Sequence, residues 1–256
     1  MNNLLQAIWV EALKVRRSRM PLLTALAMAL LPLGGGFFMI VLRDPELARQ
    51  AGLISTKAQI TVGVADWPAY LGFLSSAMPA CTIFFSFIAS WVFGREFSDR
   101  TAKDLLALPT PRSAIVTAKL LIVVSWSAAL AAWAYLVSIG VGTAIGLPQP
   151  PPGAVLAGSA TFAVTVLLTI ILVPPIAYFA SAGHGYLAPM AIALLALGFA
   201  QAFAIAGWGE YFPWAIPALY AQGTQMGWAS YAIVLLTGVA GIAGTLLWWE
   251  LADHSR

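Results

Sequence analysis

Between Gly94 and Lys119 the chain reads GREFSDRTAKDLLALPTPRSAIVTAK, a stretch that holds Arg95, Glu96, Asp99, Arg100, Lys103, Asp104, Arg112 and Lys119. These are 8 of the 23 Lys, Arg, Asp and Glu residues in a chain of 256. Mixed charge at this density, flanked by two long apolar runs, suits ion pairing with a soluble partner, where charges set register more than affinity. The residue sets that other chemistry needs are missing. Cys81 is the single cysteine and lies inside an apolar run, as a small buried hydrophobe does. It can form neither an intrachain disulfide nor a cysteine metal cluster. His184 and His254 are too few and too far apart in sequence to suggest a metal site. There is no HExxH, and no GxxxxGK[ST] loop whose backbone amides would cradle a nucleotide phosphate.

Within the stretch, residues 101–108 (TAKDLLAL) have helical periodicity. Thr101, Ala102, Leu105, Leu106 and Leu108 fall on one arc, and Lys103 and Asp104 on the other. Thr101 and Asp104 have the spacing of a capping box with Asp in place of Glu or Gln, and Pro109 and Pro111 stop the helix. The expected product is a short amphipathic helix at the membrane surface whose apolar arc needs a partner. That arc could instead rest on lipid or on the chain's own second and third spans. Glu96, Asp99 and Asp104 weigh against lipid, because the inner leaflet is itself anionic.

The elements that must position this loop are membrane spans. The chain is 61% hydrophobic and 9% charged, whereas a soluble domain carries roughly 25% charged residues. So few charges cannot cover a water-facing surface, and the class is an all-α integral membrane protein. The formal net charge of +3 reflects loop bias and implies no nucleic-acid partner. A hydrocarbon core of about 30 Å needs about 20 helical residues, and six runs qualify: about 21–42, 68–93, 115–147, 154–180, 186–207 and 231–251. Barrel strands would be runs of about ten residues alternating in polarity. The first run exceeds a secretory h-region of roughly 7–15 residues, so it is expected to be an uncleaved anchor.

Basic residues orient the spans. Lys14, Arg16, Arg17, Arg19, Arg95, Arg100, Lys103, Arg112, Lys119 and Arg256 fall on one side, and only Arg43, Arg49 and Lys57 on the other. The positive-inside rule then places both termini in the cytoplasm of a multi-pass protein of the cell inner (cytoplasmic) membrane. Ahead of the first span, residues 2–19 set Leu4, Leu5, Ile8, Trp9, Ala12 and Val15 on one face and Gln6, Lys14 and Arg17 opposite. This pattern predicts an amphipathic helix in the inner interface, facing anionic lipid; a basic anchor that only orients the chain is the plainer alternative. Asp66 before Trp67-Pro68 predicts a helix start. The outer stretch 208–230 is aromatic, with Glu210 as its only charge. It reads either as a short re-entrant pair of helices broken by Pro213 and Pro217, or as an aromatic belt. Gly142 and Gly146, and Gly238, Gly241 and Gly244, are expected packing positions. Gly34-Gly35-Gly36 could loosen the first span, and Pro174-Pro175 should kink the fourth. The chain carries no internal repeat of the kind many secondary transporters use.

In order, Glu96, Thr101, Leu105-Leu106, Pro109, Arg112 and Lys119 resemble the loop between the second and third spans of membrane subunits of type-two ATP-binding-cassette transporters, mostly exporters. Six spans, an interfacial amino-terminal helix, cytoplasmic termini and short outer helices before the last span are similar too. One departure is Arg100, where the family often has Gly before the Thr. The resemblance implies a single transmembrane domain, 1–256, with a cytoplasmic coupling loop at 94–114. A separate cytoplasmic ATPase would bind ATP and a second permease subunit, identical or homologous, would complete the pathway, so this chain would be non-catalytic and without a cofactor of its own. It also implies ATPase contact by Glu96, Asp99, Arg100, Thr101, Asp104, Leu105, Leu106 and Arg112, with the two leucines as apolar anchors.

Three other classes compete. A secondary transporter needs ionisable groups inside the bilayer, and away from the span ends the sequence has almost none. A membrane-embedded enzyme needs paired Glu, His or Asp within spans. A non-transporting sensor or scaffold could use the same docking loop. The apolar, aromatic spans suit a lipophilic or amphipathic cargo, such as a drug or peptide antibiotic, and suit a lipid-facing scaffold equally.

Overall fold

In a computed structural model the described residues are 3–50, 52, 64–99, 101, 110–148, 150, 152–183 and 185–251, with Leu47 described by its backbone alone. Every regular element among them is helical. An amino-terminal helix α1 (Asn3–Arg16) precedes α2 (Met20–Arg43) and a short α3 (Pro45–Gln50). Next come α4 (Trp67–Ala77), a 3-10 turn (Met78–Cys81), α5 (Thr82–Ser98) and α6 (Arg112–Ala144). The chain continues through α7 (Ala154–Ile171), α8 (Pro174–Ala182) and α9 (Leu187–Ile205). A 3-10 turn (Gly209–Tyr211), α10 (Ile216–Ala221) and α11 (Trp228–Leu251) complete it. Six helical units are long and apolar enough to cross a membrane: Met20–Arg43, Trp67–Ser98, Arg112–Ala144, Ala154–Ala182, Leu187–Ile205 and Trp228–Leu251.

Proline punctuates two spans. In the fourth, α7 ends at Ile171 and α8 restarts at Pro174, as the Pro174-Pro175 pair requires, because neither residue has an N–H for the preceding turn. The second span is also broken, at the 3-10 turn around Pro79, a break the unbroken apolar run concealed. In the first span Pro32 lies inside a continuous α2, and its carbonyl accepts a hydrogen bond from Tyr70 Oη at 2.8 Å. The Gly34-Gly35-Gly36 run does not loosen this helix. Cβ atoms there would meet Tyr70 and Phe73 at Gly35 and Val141 at Gly36, so these glycines let α4 and α6 close on α2. Asp66 caps α4 through Oδ1, which accepts from the Ala69 N–H at 2.8 Å.

The other glycines divide by role. Gly142 receives the Trp67 ring, whereas Gly146, with φ +65°, ends α6. The Leu147 N–H bonds the Gly142 carbonyl and the Gly146 N–H that of Thr143, at 3.1 Å each, which is a Schellman stop. The GxxxG spacing is therefore one packing site and one terminator. Gly238 faces the Ile171 carbonyl, Gly241 the Pro174–Pro175 backbone and Gly244 the Tyr178 ring. The last span thus lies directly along the break in the fourth, as close backbone approach at small residues allows.

The second span forms the centre, with α5 contacting α6, α8 and α9. In the aromatic stretch, Pro217 falls in the first turn of α10, where a missing N–H costs nothing. It starts a helix instead of breaking one. Phe212 stacks on Phe203 of α9 at 4.9 Å, and α10 packs on α7 and α4.

The α8–α11 contact makes a sharp prediction. Gly241→Ala puts a methyl group into the Pro174–Pro175 backbone and should cost about 1–3 kcal/mol, the usual range for overpacking. Gly140→Ala, which meets nothing within 4 Å, should be neutral or slightly stabilising. Melting temperatures in one detergent test this, and equal values for the two variants would contradict the packing.

Candidate functional site

The charged stretch begins inside the last two turns of α5. Glu96 is 4% exposed, and its Oε1 lies 3.0 Å from Lys119 Nζ of α6 and 2.7 Å from Lys14 Nζ of α1. Glu11, also on α1 and buried, places its Oε1 2.7 Å from Lys14 Nζ and 3.2 Å from Lys119 Nζ. Each carboxylate therefore touches both ammonium groups, and the four charges close into a neutral ring. Lys119 is fully buried and donates hydrogen bonds to the Val92 carbonyl and to Glu96 Oε1, at 3.0 Å each. The second oxygen of Glu96 accepts from Thr101 Oγ1 at 2.7 Å, while the Thr101 N–H bonds the Glu96 carbonyl at 2.9 Å.

Burial would suppress the charge on Lys14, but the Glu11 and Glu96 carboxylates more than offset it and hold its pKa above the ordinary value of 10.5. A raised pKa means stabilisation that is full below 10.5 and fades only as pH climbs through the folded-state value. The α1 contact is thus constant across the physiological range.

A second anchor lies on the other side of the loop. Phe97 packs its ring on Trp248 and Trp249 of α11, at 5.9 and 6.0 Å. Trp249 is fully buried and donates from Nε1 to Ser181 Oγ of α8 at 2.9 Å. Arg112, the first residue of α6, donates to the Trp249 and Glu250 carbonyls at 3.3 Å each. A cation there also complements the negative end of the α11 dipole. Both flanks of the loop are therefore tied down, the α5 end to α1, α6 and α11 and the α6 end to α11.

Of the eight residues expected to touch a partner, Arg100, Asp104, Leu105 and Leu106 lie outside the described residues, as does the body of the expected 101–108 helix. Glu96 and Arg112 are turned inward to the contacts above, and Thr101 ties the start of the loop to Glu96. Asp99 is half exposed and pairs with Arg95 at 3.4 Å, whose guanidinium stacks over Trp91. Two of the four ring members, Glu11 and Lys14, were not expected. Lys14 lies on the polar side of the α1 pattern, yet it reaches inward to Glu96. Leu5 and Trp9, assigned to the same face as Ile8, are well exposed. The α1 helix thus has an outer apolar edge and an inner, partly ionic face against α6. One signal for this was available: Glu11 lies three residues after Ile8 and four before Val15, on the apolar arc, where a carboxylate must have a buried partner.

The ring makes a further prediction. Lys119→Met leaves two buried carboxylates to one lysine and should cost about 3–5 kcal/mol, the price of breaking a buried pair from one side. Adding Glu96→Leu removes the excess charge and should recover most of that loss. A thermal melt of both variants in detergent checks this; a double variant no more stable than the single one would show that the ring is not charge-balanced.

Residues 7–201 match the family model described as ABC-2 family transporter protein. The chain is also similar to a bacitracin transport permease protein of Bacillus licheniformis, with 25% identity over 171 residues, which cover 65% of this chain and 82% of that protein. Spans, loop order and match agree: this multi-pass membrane protein belongs to the ABC-2 transporter family.

Proposed function

We propose that this chain is the permease half of an exporter driven by a separate cytoplasmic ATPase, and that residues 99–111 form the docking point. ABC-2 permeases in general pair with such an ATPase and with a second permease. The observation that carries the reading here is the double anchoring of the loop. Glu96 and Thr101 connect its start to α1 and α6, and Arg112 and Phe97 connect it to the end of α11. A displacement imposed on the loop is therefore transmitted to α1, α6 and α11 at once. In the docked complex Leu105 and Leu106 supply apolar anchors, and Asp99, Arg100 and Asp104 set register by charge. Glu96, Thr101 and Arg112 act behind the contact, by holding the loop to the bundle.

The buried ring also bears on the secondary-transporter alternative, because it places ionisable groups inside the protein. All four charges are mutually neutralised at the ends of α1 and α5 and about two turns into α6. They join three helices through paired charges, which favours a structural role over ion binding. Two such permeases would enclose the pathway, with both termini in the cytoplasm. The similar protein is named for bacitracin transport, and the apolar, aromatic spans suit an amphipathic peptide or lipophilic cargo leaving the inner leaflet.

Co-purification tests the coupling. Tagged wild-type protein should recover a P-loop ATPase and its ATP hydrolysis, and Leu105→Asp should lose both while still reaching the membrane. Loss of an apolar anchor costs about 2 kcal/mol or more, roughly a thirty-fold drop in affinity. Undiminished ATPase recovery and normal export by Leu105→Asp would refute the docking assignment.

A further inference from the structure

Between the inner face of α1 and the end of α5 lies a cleft of about 340 Å³, lined by Val10, Leu13, Lys14, Arg17, Ser18 and Arg95. Its size is at the lower end of ligand sites, about 300–1,000 Å³. Three of its six lining residues are cationic, and they come from two elements. We infer that this cleft binds the phosphate of an anionic phospholipid headgroup, with Lys14, Arg17 and Arg95 as its ligands. The inference stands independently of ATPase docking.

The donors remain available. Lys14 Nζ spends two of its three N–H groups on Glu11 and Glu96, and the third is left for the cleft. Arg95 meets Asp99 through Nε, which leaves the terminal guanidinium nitrogens for an anion. Arg17 is exposed and has no acidic partner among the described residues. Ser18 Oγ donates to the Val15 carbonyl at 2.8 Å and shapes the floor. Arg16 and Arg19 flank the site and are also exposed.

The surroundings select a lipid over a free anion. Leu5, Trp9 and Val10 are 59%, 64% and 43% exposed on the outer edge of the same helix, so α1 presents apolar surface right beside the cationic cleft. An amphiphile fits both halves, with its phosphate on the cations and its acyl chains along Val10 and that edge. Bound there, it joins Arg17, in the turn after α1, to Arg95, the residue next to Glu96, and reinforces the seat of α1 against the bundle.

Native mass spectrometry of the full chain in neutral detergent tests this, with phosphatidylglycerol as probe and phosphatidylcholine as the zwitterionic control. Wild type should hold one phosphatidylglycerol in preference to phosphatidylcholine. Arg17→Gln should weaken that binding about five-fold, as expected for one basic residue near an anionic headgroup. Arg17→Gln with Arg95→Gln should weaken it roughly twenty-five-fold if the two act independently. Because Arg17 is exposed, the single variant keeps the test decisive should the double variant fold poorly. Equal retention of the two lipids, or binding unchanged in Arg17→Gln, would overturn the site. Displacement of the lipid by inorganic phosphate at matched concentration would overturn the lipid assignment, since the acyl chains would then contribute nothing.

Discussion

Glu11, Lys14, Glu96 and Lys119 meet where α1, α5 and α6 converge, three of them buried and Lys14 partly open to solvent. A lone carboxylate or ammonium in a low-dielectric setting costs several kcal/mol, and attraction repays this only when geometry and hydrogen bonding are complete. In the ring each member lies within 3.2 Å of both neighbours, and Lys119 also donates to the Val92 carbonyl. The arrangement tolerates little error in where α1, α5 and α6 lie relative to one another. It therefore specifies their register, which apolar surfaces slide past more readily.

Two kinds of contact hold the opposite ends of the charged loop, and the difference matters mechanically. At the Glu96 side the bond is ionic and enclosed. At the Arg112 side it is a guanidinium on the last carbonyls of α11, backed by the Phe97, Trp248 and Trp249 rings. Aromatic packing can slip by small steps, whereas a closed charge ring either holds or opens.

The spans of the bundle differ in continuity. The second and fourth spans are interrupted, at Pro79 and at Pro174-Pro175, while α6 runs through 33 residues without a break. The Gly238, Gly241 and Gly244 positions press α11 on the break in the fourth span. The last span is thus packed against an interrupted helix, and the long α6 is continuous beside it.

Class, span number and the charged loop were legible in the linear chain, because hydrophobic run length and charge density are properties of consecutive residues. So were the Asp66 cap and the break at Pro174-Pro175, which depend on a few neighbours. Others were misjudged because their meaning is set by distant residues. Gly146 ends a helix, Gly35 and Gly36 admit neighbouring helices, and Lys14 turns inward to reach Glu96, 82 positions away. Only the folded chain could decide that Glu96 meets Lys14 and Lys119 and that Arg112 meets the end of α11: the sequence shows that a charge exists, whereas its partner, and hence its dielectric surroundings, is a matter of which helices meet.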